Sequence, residues 1–483
     1  MRILATFALF GATLGCSLVG FDDLVTEPCA AVSDDSIEAI RAGNELCASL
    51  EAMRPAAEGS TWVCREPIGD DLFCVQSSAD NDNDGVGTTE EGGLDCDDTD
   101  PDIFGGQEEL LCDGKDNDCD GVIDENLLGV QGEPTRIYDE AVALGSFSSG
   151  ADKPAFIGRR TSDERVVVVL DDDAIESDQA GRTSYAAAPV GSQAITLTRA
   201  PGDMEVYALS RTDNVAEATM NLADEDISFP AIGVGETSFV AAWFTDDAAA
   251  CGAPAGPLRH TSGRSSNGID TAPPIDLPNA SPIQAPAIIP VGGNEFLVFA
   301  ANGSDVDAHL VTAAAVGSTV VSSVSFPFDD TVSGFAVATG ETDGDTLALG
   351  LSVVVGCGRR VLVFRELLHD LTTGMTSLGE LALTEEGGDP PGSPSIRWSA
   401  AAPRGFVVTW MGGDAQRTFM ARVVVDDGFA GPAFELGADI PAATAFPYGA
   451  AISPATGGGL RVWTYAGGPS AGVYEIALGC NMD

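Results

Sequence analysis

"FPAIGVGETSFVAAWF", residues 229–244, reads as a short strand opening near Pro230, a polar turn through Gly235, and an apolar strand ending in Trp243 and Phe244. The same order returns in "APAIIPVGGNEFLVFA" (285–300), "SPSIRWSAAAPRGFVVTWM" (393–411) and "YGAAISPATGGGLRVWTY" (448–465). Short β-branched and aromatic runs bounded by Gly and Pro read as strands. Weaker copies start near Lys153, Ala194 and Gly334, and a third strand often follows, as in "FMARVVVDDG" (419–428) and "GVYEIALG" (472–479). The seven starts are spaced by about 49 residues on average. That period and that strand-turn-strand content predict a mainly β fold, a seven-bladed β-propeller over residues 128–483. The competing reading is a pair of β-sandwiches.

At 483 residues the chain exceeds one ordinary domain. It divides into a signal peptide (1–15), a cysteine-rich module (16–76), an acidic segment (77–127) and the repeat region (128–483). The net charge of −51 excludes nucleic acid as a partner and disfavours anionic membrane surfaces.

The opening "MRILATFALFGATLGC" places Arg2 before an apolar run and small Gly15 before Cys16. The run is too short to span a bilayer and reads as a secretory signal. Thr13-Leu14-Gly15-Cys16 resembles a bacterial lipobox, which implies a lipid on Cys16; Ser17, where an Asp would mark inner-membrane retention, then implies anchoring in the outer membrane, on its periplasmic or cell-surface face. The alternative is a plain secreted protein. Of eleven cysteines, ten remain once Cys16 is set aside. An even number fits disulfides in an oxidising compartment.

The module of residues 16–76 carries Cys29, Cys47, Cys64 and Cys74. "DSIEAIRAGNELCASLEAM" (35–53) has apolar residues at helical spacing, whereas "TWVCRE" and "DLFCVQ" look like strands around a turn. A segment this small needs disulfide staples.

From Asp80 to Asn126 there are eighteen Asp and Glu against one Lys. "DNDNDGVGTTEE" (80–91) fits the calcium-loop pattern D-x-[DN]-x-[DN]-G-x5-E at every defined position. Asp80, Asp82 and Asp84 supply carboxylates, Gly85 the sharp turn, Val86 a carbonyl, Thr88 a water-mediated contact and Glu91 a bidentate ligand. "DNDCDGVIDENL" (116–127) repeats the start through Asp116, Asp118, Asp120, the Val122 carbonyl and Asp124. Leu127 stands where the bidentate Glu belongs, so this second loop is incomplete by itself, and Glu125 or one of Asp95, Asp97, Asp98 and Asp100 could substitute. Hard oxygen donors in this number suit Ca²⁺. Without long flanking helices the sites read as structural rather than sensory. The bland alternative is a solvated acidic linker.

"DCDDTDPDIFGGQEELLCDGKDNDCDGVIDE" (95–125) is similar to the MopE-type metal-binding motif of exported bacterial proteins and lipoproteins, myxobacterial ones among them. That family is associated with copper. This segment has no His and no Met, so its residues argue against copper.

No phosphate loop, dinucleotide fingerprint or zinc helix is present. His260, His309 and His369 are scattered without ligand spacing. The leading expectation is therefore a non-enzymatic surface lipoprotein: a calcium-ordered stalk holding a propeller that recognises a protein or glycan. Its rivals are a propeller enzyme acting on polysaccharide and a copper-binding protein. The acidic segment has three cysteines (Cys96, Cys112, Cys119) and so does the repeat region (Cys251, Cys357, Cys480). The expected pairing is Cys251 with Cys357, and Cys480, taken as lying beyond the last strand, with a cysteine of the acidic segment.

Overall fold

The computed structural model describes residues 28–31, 61–68, 71–77, 82, 86, 88, 94–105 and 115–119, and then 128–480 with interruptions, of which 211–227 is the longest. The chain forms two compact units, Met1–Leu127 and Leu128–Asp483. No helix occurs among the described residues. The helical reading of 35–53 lies outside them.

In the first unit, Pro28–Ala31, Thr61–Ile68 and Asp71–Ser77 form a three-stranded antiparallel sheet. Its register sets Cys64 opposite Cys74. The side chains of Cys29, Cys47, Cys64, Cys74 and Cys112 lie outside the described residues.

The second unit is a ring of antiparallel sheets, each built from strands consecutive in sequence. The sheet of Ser228–Val234, Ser238–Phe244, Gly256–Arg264 and Ile275–Ala280 shows the pattern. First strands contact the first strands of neighbouring sheets in a closed cycle: Val142–Ser149, Tyr185–Val190, Ser228–Val234, Ala287–Gly292, Val332–Asp343, Gly392–Ser399, Ala450–Pro454 and back to Val142–Ser149. They therefore line the centre, and the later strands step outward. This is a propeller.

Among the described residues six sheets carry the four or five strands of a complete blade, which corrects the expectation of seven. The sheet of Tyr185–Val190, Gln193–Ala200 and Asp203–Ser210 stands in the ring with three strands. Residues 211–227, where the repeat would place its fourth, lie outside the described residues. Two of the three weaker repeats are out of phase with the blades. Lys153 and Ala194 adjoin second strands, because Val142–Ser149 and Tyr185–Val190 precede them. Those inner strands are rich in Ser and Ala and lack the apolar contrast that marks a strand in sequence.

Second strands are buried on both faces, since each sheet is sandwiched between two others. Every residue of Ser238–Phe244 and Gly405–Gly412 is buried. This is why they read as unbroken apolar runs rather than alternating ones. The core is accordingly a set of seams between sheets; one holds Phe299, Phe335, Leu349, Leu351 and Val353. Polar sutures cross the seams as well. Gln284 Nε2 donates to the Phe335 carbonyl at 2.7 Å, and its Oε1 accepts from the Phe335 amide at 2.9 Å.

The last sheet closes the ring. Outside Ala450–Pro454, Leu460–Ala466 and Gly472–Cys480 it takes its edge from Leu128–Val130 and Thr135–Tyr138, at the other end of the unit. Cys480 pairs in register with Leu128. It thus ends the last strand rather than lying beyond it, a correction to the sequence reading; the side chains of Cys480 and Cys251 lie outside the described residues. Cys357 is disulfide-bonded.

Candidate functional site: the acidic segment and the propeller centre

The acidic segment folds by hydrogen-bonding its carboxylates to its own backbone. Asp95 Oδ1 accepts from the Asp97 amide at 2.8 Å, Asp97 Oδ1 from the Thr99 amide at 3.2 Å and hydroxyl at 2.6 Å, and Asp100 Oδ1 from the Asp102 amide at 3.2 Å. Asp is favoured in turns for this reason. Lys115 Nζ pairs with Asp100 Oδ2, and this bond, above all, holds the Asp100 carboxyl below its ordinary range.

Three links bring distant parts of the segment together. Thr88 bridges to Asp95. Cys96 and Cys119 form a disulfide with Cα atoms 5.8 Å apart. Phe104 N donates to the Asn117 carbonyl at 2.9 Å, while Asn117 Nδ2 donates to the Asp102 carbonyl at 3.0 Å. The result is a small interior containing Val86, Ile103, Asp95 and Asn117, with Asp95 1% and Asn117 2% exposed. Asn117 Oδ1 is buried there with no hydrogen-bond partner among the described residues.

Of the candidate ligands, Asp82, Val86, Thr88, Asp95, Asp97, Asp98, Asp100, Asp116 and Asp118 are described. Asp80, Asp84, Glu91, Asp120, Val122, Asp124 and Glu125 lie outside the described residues. Among those described, Thr88 and Asp95 are brought together, and Asp97 and Asp100 serve as turn formers. No group of three His, Cys, Asp or Glu side chains able to hold a metal ion is found among the described residues. Sequence reasoning passed over Asn117. Asn117 lies between Asp116 and Asp118 in "DNDCD", and nothing local in the sequence marks it as the buried one.

The propeller centre has a different chemistry. Its seven first strands carry two carboxylates, Glu341 and Asp343, both at the tail of Val332–Asp343; one Arg, Arg397; and no His. All three histidines sit on third strands, buried at 0%, 2% and 3% exposure for His260, His309 and His369.

Residues 95–125 match the family described as "Putative metal-binding motif" of the copper-binding MopE type. No curated protein matches the chain. Solved structures similar to it include an α-L-arabinanase of Penicillium chrysogenum complexed with arabinobiose, at 9% identity and TM-score 0.39, covering 73% of this chain and 99% of that one. An α-L-arabinofuranosidase of Fusarium graminearum gives 9% identity and TM-score 0.41, covering 72% and 98%. The SapL1 lectin in complex with α-methyl fucoside gives 10% identity and TM-score 0.38, covering 61% and 96%. The propeller assignment itself rests on the sheet topology. The chain is thus a β-propeller protein carrying a MopE-type metal-binding motif.

Proposed function

We propose that the acidic segment is ordered by Ca²⁺, and that the propeller is a recognition surface for a protein or glycan on an exported lipoprotein. One observation carries the metal reading. Asn117 Oδ1 is buried without a hydrogen-bond partner among the described residues, in a stretch holding eighteen Asp and Glu and one Lys. A buried oxygen left unpaired in so negative a surrounding is costly without a cation for it to ligate. Oxygen donors without His or Met favour a hard ion over copper. Binding energy then becomes folding energy for the segment.

The sparse ionisable groups of the first strands favour a binding face over a hydrolytic centre that draws acid and base from those strands. Lipidation at Cys16 and outer-membrane location rest on the lipobox resemblance. Calorimetry of the full mature chain tests the metal reading. Saturable heat with Ca²⁺ at roughly 0.1–1 mM is expected, as for extracellular modules. Absence of heat at several millimolar, or Cu²⁺ binding that survives excess Ca²⁺, would overturn it.

A further inference from the structure

His260 and His309 lie on third strands of two neighbouring blades, Gly256–Arg264 and Asp305–Thr312. Register sets His260 beside Ala242 and His309 beside Val298, and both of those residues belong to the apolar cluster between the two sheets. Residues directly opposite in an antiparallel ladder share a face. Both imidazoles therefore point into the same seam.

Each is held by one serine at the outer strand Thr319–Pro327. His260 Nε2 lies 2.8 Å from Ser318 Oγ, and His309 Nδ1 lies 2.8 Å from Ser323 Oγ. Among the described residues His309 Nε2 is buried without a partner, and His260 Nδ1 faces the Ile275 backbone without a well-formed hydrogen bond. Two neutral rings fit this arrangement. Two imidazoliums would be desolvated, short of acceptors and mutually repelling.

We propose that this histidine pair is an acid-sensitive latch, whose protonation opens the seam between the two blades and frees the outer strand Thr319–Pro327.

The surroundings offer little to stabilise added charge. Ser228–Val234, Ser238–Phe244, Ala287–Gly292 and Thr319–Pro327 have no ionisable side chain, and Glu295–Asn302 has one, at its start. Asp276, on the strand beside that of His260, bonds Arg259 at 2.9 Å, and Arg264 ends the latter strand. Asp305 accepts from the Ser304 and Ser325 hydroxyls at 3.1 and 2.9 Å. Asp307, two residues from His309, accepts from Asn302 Nδ2 at 2.9 Å. It pulls His309 toward the protonated form, but burial outweighs it and the affinity for a proton falls. Burial also takes His260 down to about 4, with the neighbouring His309 adding to the effect.

The sign follows. An opened seam binds protons at the ordinary histidine value of about 6.5. The closed seam resists until about pH 4 at His260. Opening is therefore hardest above pH 6.5 and becomes easier as pH falls toward 4. Each histidine contributes up to about tenfold per pH unit, and the pair up to about a hundredfold.

Hydrogen exchange of the full chain between pH 7 and 4.5, corrected for intrinsic rates, tests this. Peptides covering 256–264 and 319–327 should open with a slope of about two protons, falling to about one in His260→Gln or His309→Gln and to about zero in the double variant. Peptides covering 332–343 should hold. A seam that exchanges equally across the range, a slope unchanged in the Gln variants, or opening shared equally by 332–343 overturns the proposal. If the variants do not fold, imidazole NMR titration of the unmodified chain decides. Both seam rings neutral at pH 5.5 supports the latch, and either one protonated at that pH refutes it.

Discussion

Tyr465 Oη accepts a hydrogen bond from the Val142 amide at 3.0 Å, across 323 residues of sequence. Tyr448 Oη donates to the Val142 carbonyl at 3.2 Å, so two tyrosines of the last blade satisfy one inner-strand residue of the first. The Tyr465 ring also stacks on Phe156, with centroids 6.0 Å apart. Gly145 belongs to the same seam, because a Cβ there would come within 2.6 Å of Tyr448 and 2.7 Å of Phe156. The ring is closed by edge pairing on the outside and by this aromatic seam on the inside.

Tyr465→Phe keeps the stacking and removes the acceptor of a buried amide. An unsatisfied buried donor costs about 1–3 kcal/mol. Urea unfolding followed by Trp fluorescence should show a lowered midpoint with little change in slope. An unaltered midpoint would mean that the bond adds nothing to closure.

Gly350→Ala probes a different seam. The added Cβ would meet Phe406 at 2.6 Å and Ile396 at 2.8 Å, with both side chains in the core. Overpacking of this kind costs about 1–3 kcal/mol. A melting temperature equal to that of the unmodified chain would show that Phe406 can move aside.

Asn117→Ala tests the interior of the acidic segment. If Asn117 Oδ1 serves the Ca²⁺ site, calorimetry should show weaker Ca²⁺ binding with the Cys96–Cys119 bond intact by peptide mapping. Unchanged affinity would assign Asn117 to holding the Asp102 carbonyl alone.

Cys16→Ala tests the anchor. Detergent fractionation of expressing cells should move the chain from membrane to soluble fractions, and palmitate labelling should vanish. A variant that stays with the membrane rules out the lipobox reading.

Peptide mapping without reductant should recover Cys96 linked to Cys119, and Cys357 linked to Cys251. Recovery of Cys251 as a free thiol would exclude the second pair.

Residues 229–244 and their copies determined the mainly β repeat architecture, because doubly buried strands between stacked sheets must be apolar throughout, and turns between them must carry Gly. The match of residues 95–125 to the metal-binding motif was legible as well, since its charge, cysteines and glycines are local properties. Ring closure was not. Leu128–Val130 pairs with Gly472–Cys480 only when every blade between them has turned the chain through its share of the circle, and no residue near Leu128 records that sum. The phase of the first two blades escaped for a related reason. Inner strands such as Tyr185–Val190 are small and weakly patterned, and acquire their place from the neighbours they pack against. His260 and His309, far apart in sequence and unremarkable singly, became a pair because two sheets face each other there. Local propensity and burial pattern are written along the chain, whereas the meeting of distant side chains is a property of the closed ring.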